Sequence, residues 1–403
     1  MAVLPIPFPE AMRIAGIRLG TARAGIRSGT GDDLAVIELA PGSQVAAVFT
    51  RNAFCAAPVR VAREHLAHAP RWLIVNAGNA NAGTGARGIE DARATCAALA
   101  ALVGGKPNQV LPFSTGVIGE PLPVEKICTA LPKALENLSE SGWKQAARAI
   151  MTTDTQPKGA KFELGLAGRQ VSIAGIAKGA GMIAPDMATM LAFIGTDAAV
   201  EPAALQLALN QAVESTFNAI SVDGDTSTND ACALIATGTA GGPILHQDHP
   251  DFPAFCASLE RVCAELAQAI VRDGEGATKL IRIQVEEAQD LAEARRVGFT
   301  VATSPLVKTA FFAGDPNWGR ILAAVGRAID GLTIDRVRIW LDEVCIVTAG
   351  GRAPEYTEAL GKTVMARDEI CVRIALGRGG AATQVLTCDL SYDYVRINAE
   401  YRS

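Results

Sequence analysis

The histidines are the first residues to narrow the chemistry that this sequence can perform. There are four in 403 residues, paired in HLAH (His65, His68) and HQDH (His246, His249). Neither pair forms the H-E-x-x-H zinc pattern, both lie among polar residues typical of a surface, and no G-x-S-x-G motif accompanies them. A Ser-His-Asp or Cys-His nucleophile is therefore hard to build, and no metal site is expected.

One nucleophile needs no histidine: a threonine whose own amino group is freed by cleavage of the backbone. The α-amine has an ordinary pKa of about 7.7 to 8.0, so at cellular pH it can take the hydroxyl proton. Residues 178–197, KGAGMIAPDMATMLAFIGTD, place Ala188 directly before Thr189 at the start of an apolar strand. Small residues and a proline favour the tight bend in which the hydroxyl attacks the preceding carbonyl. The ordinary alternative is that Thr189 is only a strand residue.

Two other motifs are weaker indications of a binding site. GTGARG (83–88) has the glycine spacing of a dinucleotide site, but it starts five residues beyond its strand and lacks the acidic partner about 20 residues on. DGDTSTND (223–230) begins like a calcium loop, yet Thr228 stands where glycine is required and Leu234 where glutamate is required. As a polar run between apolar segments, it still predicts a loop at the end of a sheet, where sites often lie.

The elements that must position these residues alternate between helix and strand. A short β-branched run predicts a strand at 71–78, and period-2 alternation predicts a strand at 279–287 and a hairpin over 161–176. Helices are predicted at 91–103, which is rich in alanine, at 202–217, and at 255–271, where apolar residues fall on one face. Alternation from residue 386 to 394 predicts a long strand running nearly to the last residue. The result is an α/β chain without a visible linker or domain boundary.

Composition excludes several classes of protein. The chain is 49% apolar and 20% charged with a net charge of -5, which gives no electrostatic case for nucleic acid or an anionic membrane. No apolar run is long enough to span a bilayer and the first residues lack a signal-peptide pattern, so we expect a cytoplasmic protein. Nine cysteines without a C-x-x-C pair are expected to be reduced and buried.

Several long motifs, in order along almost the whole chain, carry a resemblance. They are AAVFTRNAFCAAPV, NAGNANAGTG, PFSTGVIGEPLP, IMTTDT, AKGAGMIAPDMATML, DGDTSTND, DGEGATK, FFAGDPNWGRI and DYVRINAEYRS. With these motifs the sequence resembles the ornithine acetyltransferase / glutamate N-acetyltransferase (ArgJ) family of arginine biosynthesis. The resemblance implies an α/β sandwich of β-sheets flanked by helices, of the self-cleaving N-terminal-nucleophile type.

The resemblance also implies how the chain matures and what it does. Cleavage between Ala188 and Thr189 would leave an α chain, 1–188, and a β chain, 189–403, in an α2β2 assembly. Thr189 would take an acetyl group from N2-acetylornithine and pass it to L-glutamate, with no cofactor, and acetyl-CoA is a further donor that many members accept. A self-processing amidase or aminopeptidase, in which water replaces glutamate, is the alternative.

The family's site residues map onto matching positions of this sequence. Thr115 and Gly116 correspond to the oxyanion hole beside the nucleophile Thr189. The positions that match substrate contacts are Thr152, Lys178, Thr189, Glu275, Asn398 and the terminal Ser403. By charge, Lys178 and the polar terminal residues would receive carboxylates and Glu275 the ornithine cation. The neighbouring Thr153 remains an alternative to Thr152.

Overall fold

A computed structural model describes residues 3–166, 168–184 and 190–400 of this chain. Its strands are β1 (Ile17–Ala22), β2 (Leu34–Leu39), β3 (Gln44–Phe49), β4 (Trp72–Asn79), β5 (Val110–Val117), β6 (Lys158–Leu166), β7 (Arg169–Lys178), β8 (Leu191–Thr196), β9 (Ala231–Ala236), β10 (Leu280–Ala288), β11 (Arg338–Leu341), β12 (Val344–Thr348), β13 (Gly351–Arg352), β14 (Glu369–Ala375) and β15 (Ala381–Cys388). Its α-helices are α1 (Ala57–His65), α2 (Gly85–Val103), α3 (Val124–Glu136), α4 (Trp143–Ala149), α5 (Pro202–Ser215), α6 (Phe252–Arg272), α7 (Leu291–Ala302), α8 (Pro305–Phe312), α9 (Trp318–Gly326), α10 (Glu358–Met365) and α11 (Tyr392–Glu400).

Two sheets face each other across a shared apolar layer. The first has the strand order β1-β2-β4-β5 and the second β3-β9-β8-β7-β6. Because side chains alternate along a strand, Leu191 and Phe193 of β8 point into the layer between the sheets, where Phe113 of β5 meets them. Ala192 and Ile194 point to the opposite face of the second sheet. The central strand is therefore buried on both faces, which explains its unbroken apolar sequence.

Helices cover the two outer faces. Helices α2 and α3 pack on the first sheet, with Leu99 and Leu131 among the buried contacts, and α5 and α6 pack on the second, with Leu209 and Leu266. The order of layers is helix, sheet, sheet, helix. This confirms the predicted sandwich of β-sheets flanked by helices and also the predicted hairpin, since β6 pairs with β7 along its whole length.

A third sheet, with the order β13-β12-β11-β14-β10-β15, forms its own apolar core with α7 and α9. No sequence pattern marks this separate core, because no linker precedes it. The chain passes from the end of α6 to the start of β10 through only the loop 273–279. That short loop also carries Glu275, so the connection between the two cores lies at the candidate site.

The predicted strand over 386–394 is wrong beyond Cys388. Asp389 accepts hydrogen bonds from the backbone N–H of Thr278 and Lys279, and Ser391 donates one to the carbonyl of Gly276. These side-chain contacts turn the chain out of the sheet, and α11 follows. The predicted strand therefore holds only as far as Cys388, the last residue of β15.

Candidate functional site

A cavity of about 240 Å3 opens at one end of the sandwich. The ends of β5 and β7 and the loop that precedes β9 meet there, although these segments are far apart in the sequence. The residues that line it are Ala80, Thr115, Gly116, Val117, Ile118, Thr152, Thr153, Lys178, Gly181, Met182, Ser227, Thr228, Asn229, Glu275 and Asn398. A cavity of this size matches an amino-acid-sized ligand.

Six of the residues expected to form the site line this one cavity. They are Thr115, Gly116, Thr152, Lys178, Glu275 and Asn398. Thr153 lines it too, so the choice between the adjacent threonines stays open. Ala188, Thr189 and Ser403 lie outside the described residues. The loop 223–230 reaches the cavity through Ser227, Thr228 and Asn229, as its position at a sheet end predicts.

The end of β5 is shaped by a glycine. Gly116 has a φ of +133°, and a Cβ there would collide with the backbone of Gly78 on the neighbouring β4. Only glycine lets the two strands approach this closely. Asn229, buried, donates hydrogen bonds to the carbonyls of Ser114 (2.9 Å) and Ala80 (2.6 Å), which fixes the loop before β9 against the same strands.

Lys178, the last residue of β7, is buried and charged groups surround it. Its Nζ donates to the hydroxyl oxygen of Thr115 over 3.2 Å. Burial lowers the pKa of Lys178 below the ordinary lysine value, and the carboxylate of Asp154 opposes that effect. Burial alone would raise the pKa of Asp154, but the charges of Lys158 and Lys178 and the N–H of Gly179 hold it well below the usual range.

A buried ion cluster lies behind the cavity. The Nζ of Lys158 is 2.6 Å from Asp154 and 2.7 Å from Asp273, and all three side chains are fully buried. Asp273 also accepts hydrogen bonds from the backbone and hydroxyl of Thr155. The cluster therefore ties together the turn that carries Thr152, the start of the β6–β7 hairpin and the loop that carries Glu275. Sequence reasoning missed it, because nothing local marks Lys158 as buried.

The C-terminal helix closes one side of the cavity. Asn398 of α11 donates to Glu275 over 2.7 Å, and Tyr394 of α11 donates to Asp223 over 3.2 Å. Asp223 in turn accepts the backbone N–H groups of Met182 and Ile183. Burial, followed by the charge of Asp223, raises the pKa of Tyr394, so this hydroxyl stays a donor. The polar run 223–230 signalled a site, but the role of Tyr394 could not be read from it.

Asp230 contacts the segment just after the predicted nucleophile. It is almost fully buried, and its Oδ1 accepts the N–H of Met190 over 3.0 Å. Burial raises the pKa of Asp230 well above the usual carboxyl value. Residue 190 is thus anchored to the start of β9, beside the cavity.

Two expectations about other residues need correction. His65 is buried, not on the surface, and its Nδ1 contacts the carbonyl of Val110 over 2.8 Å, which makes it a core residue. All nine cysteines are free as expected, but only four are fully buried and five are partly exposed.

In the described part of the chain, no three His, Cys, Asp or Glu side chains are grouped to hold a metal ion, and no helix there could cross a membrane.

Comparison with known proteins finds one family along almost the whole chain. The model of the ArgJ family matches residues 18–403. The arginine biosynthesis bifunctional protein ArgJ of Methylococcus capsulatus is 66% identical over 97% of this chain and 96% of that protein, and the one of Pseudomonas fluorescens is 52% identical over the full length of both. A crystal structure of the Bacillus halodurans protein of the same name is 38% identical, covers 50% of this chain and 95% of that chain, and has a TM-score of 0.49. On the match of the family model and the identity to these relatives, the chain belongs to the ArgJ family.

Proposed function

We propose that this chain is an acyltransferase of arginine biosynthesis that moves an acetyl group from N2-acetylornithine to L-glutamate through an ester on Thr189. Family membership and relatives named as bifunctional arginine biosynthesis proteins support the class of reaction. The single observation that carries the proposal is the convergence of Thr115, Gly116, Lys178 and Glu275 on one cavity beside residue 190. Acetyl-CoA serves as a second donor, as the word bifunctional suggests, and the protein acts in the cytoplasm.

The acyl transfer begins when the Thr189 hydroxyl attacks the acetyl carbonyl while the free α-amine of the same residue takes the proton. The tetrahedral oxyanion is stabilised by the hydroxyl of Thr115 and the backbone N–H of Gly116. Lys178 donates to the oxygen of Thr115, so the hydroxyl hydrogen of Thr115 remains available for the oxyanion. Loss of one such donor typically lowers kcat by about 100- to 1,000-fold.

The same cavity then receives the acceptor. Ornithine leaves with the proton returned by the α-amine. The amino group of glutamate then attacks the acetyl ester, the ester C–O bond breaks, and the α-amine passes the proton of the attacking nitrogen to the Thr189 oxygen. Lys178 is the cation of the cavity lining and suits the carboxylate that both amino acids carry, whereas Glu275 suits the side-chain ammonium of ornithine. Asn398, which donates a hydrogen bond to Glu275, supplies a side-chain amide that can hydrogen-bond to either ligand. Ser403 is assigned to carboxylate binding by its matching position alone.

Maturation uses the same groups. The Thr189 hydroxyl attacks the carbonyl of Ala188, and hydrolysis of the resulting ester yields chains 1–188 and 189–403, which assemble as α2β2. Asp230 holds the N–H of Met190, so the chain is anchored one residue beyond the nucleophile. The short side chain of Ala188 leaves room for the attack.

Product analysis tests the proposal against the amidase alternative. Purified protein is incubated with N2-acetylornithine, with and without L-glutamate, and ornithine, acetate and N-acetylglutamate are quantified. We expect ornithine release to depend on glutamate and to match N-acetylglutamate formation mole for mole. Acetate release that is independent of glutamate would show a hydrolase. Thr189→Ala is the control, and should be neither cleaved nor active.

A further inference from the structure

A second, larger cavity adjoins the site. It measures about 730 Å3, and Val117 and Thr152 line both cavities, so the two spaces share a wall next to Gly116. The loop 23–33 between β1 and β2 forms its far side through Ile26, Arg27, Ser28 and Gly31. We call this second cavity the groove. None of the steps of acetylornithine-to-glutamate transfer requires it.

The two cavities differ in volume, and the two possible acetyl donors differ in size. Acetylornithine and glutamate are of similar size and suit the cavity of about 240 Å3. Acetyl-CoA is several times larger, and ligands of that kind bury most of their reactive arm when bound. A thioester donor therefore needs a channel that leads to the oxyanion residues, and the groove ends there.

The wall of the groove is built and fixed. Asp33 is buried, and its carboxylate accepts the backbone N–H groups of Ala24 and Ile26 at 2.6 Å and of Arg27 at 3.1 Å. The guanidinium of Arg27 donates to the carbonyls of Met151 and Asp32, which joins the loop to the turn that carries Thr152. These contacts fix the position of the loop 23–33 beside the site.

The chemistry of the wall suits an uncharged, amide-containing chain. Apart from Glu120 and Arg27, whose guanidinium already donates to carbonyls, the residues that line the groove are uncharged. Next to the groove, Lys126 is exposed and its Nζ donates to the carbonyl of Gly25. Pantetheine is an uncharged chain with two amides, and it ends on an anionic nucleotide that an exposed lysine can meet.

We propose that the groove binds the pantetheine arm of acetyl-CoA and delivers its acetyl thioester past Val117 and Thr152 to Gly116. This inference rests on the proposed function and adds the donor site for its second reaction. The Thr189 oxygen forms the new ester bond and the C–S bond of the thioester breaks. The hydroxyl proton passes through the α-amine to the sulfur, which leaves as free coenzyme A thiol.

Blocking the groove tests the inference. Ser28→Trp and Gly31→Trp place an indole in the groove, and Gly31 has no positive φ that would strain the new residue. We expect the KM for acetyl-CoA in N-acetylglutamate synthesis to rise about tenfold or more, with acetylornithine-to-glutamate transfer within about twofold of the original. Thr30→Trp, on the same exposed loop but not in the lining, is the matched control and should leave both reactions unchanged.

The outcomes separate this inference from the proposed function. If the unaltered protein transfers acetyl from acetylornithine but makes no N-acetylglutamate from acetyl-CoA, the groove assignment is overturned and the transferase assignment stands. If both reactions are absent, the proposed function fails. Equal damage to both reactions by the tryptophans would make the groove a common entrance and overturn the inference, as would no damage to either. Acetylpantetheine should replace acetyl-CoA in the unaltered protein and lose its effect in Ser28→Trp.

Discussion

At the scale of single residues, the site depends on a lysine whose charge is costly to bury. Lys178 sits beside Thr115 with Asp154 close by, and burial lowers its pKa while that carboxylate limits the fall. A cation in this position draws substrate carboxylates strongly because little water screens it. Its charge state is therefore expected to control the affinity for substrate.

The pH dependence of glutamate binding follows from that shift. Lys178 is charged below its pKa, so the KM for glutamate should rise as pH increases through the lowered pKa, before an ordinary lysine with a pKa of about 10.4 would lose its proton. Lys178→Arg keeps its charge at all these pH values and should remove this part of the rise. The KM for glutamate is measured against pH for both proteins. Because glutamate itself titrates in the same way in both measurements, the difference between the two profiles reports Lys178. Identical profiles would exclude Lys178 as the carboxylate partner.

At the scale of elements, buried polar contacts position the segments that carry the site. The cluster of Lys158, Asp154 and Asp273 joins a turn, a hairpin and a loop, while α11 reaches the site through Asn398 and Tyr394. These two sets of contacts differ in burial. The side chains of the ion cluster are inaccessible to water, whereas no residue of α11 is buried. Their loss should have different consequences.

Removal of the buried cation should destabilise the fold. Lys158→Met leaves two buried carboxylates without their partner, and breaking such a cluster costs about 3 to 5 kcal/mol. Equilibrium unfolding in urea measures the loss. Lys133→Met, which breaks an exposed pair with Glu136 on α3, is the matched control and should change the free energy of unfolding by no more than about 1 kcal/mol. Equal effects of the two substitutions would argue against the cluster.

Removal of α11 should affect binding more than folding. Deletion of residues 392–403 takes away Asn398 and Tyr394, and none of the described side chains removed, 392–400, is buried, so the urea midpoint should stay close to that of the full chain. The KM for acetylornithine should rise because Glu275 loses its partner. Steady-state kinetics and urea unfolding of the same preparation provide the comparison. A large loss of stability with unchanged KM would reverse this view of the helix.

At the scale of the whole molecule, the two chains expected from cleavage are interleaved. The second sheet takes β3, β6 and β7 from before residue 188 and β8 and β9 from after it. Strand β7 pairs with β8 from Ile173↔Thr196 to Lys178↔Leu191, and β3 pairs with β9. The core between the sheets is also shared by residues from both sides of the cut. Cleavage of one peptide bond leaves all these contacts in place.

The two fragments should consequently stay together after cleavage. We expect one species under native conditions and two fragments, 1–188 and 189–403, under denaturing conditions, because separation would expose the edges of β7 and β8 and the apolar layer between the sheets. Native and denaturing electrophoresis with intact-mass measurement tests this. Thr189→Ser should still be cleaved, since it retains the hydroxyl, and a single full-length mass from the unaltered chain would contradict the assigned bond.

The sequence by itself determined most of the elements and one piece of chemistry. The β6–β7 hairpin, α6 and β10 follow from periodicity, because alternation with period 2 or 3.6 is written in neighbouring residues. The scarcity of histidine favoured a threonine that uses its own α-amine as the base. The prediction for 386–394 was wrong because Asp389 makes contacts more than a hundred residues away, with Thr278.

Only the tertiary structure decided what lies around the site. The burial of Lys158 and of His65, the closure by α11 and the groove beside Val117 depend on segments that meet across the fold. Whether a polar residue is buried depends on which distant backbone and side-chain groups can satisfy it, and its own neighbours do not record that. The sequence therefore predicted which residues react, while the three-dimensional packing decided the burial and the partners of the described site residues.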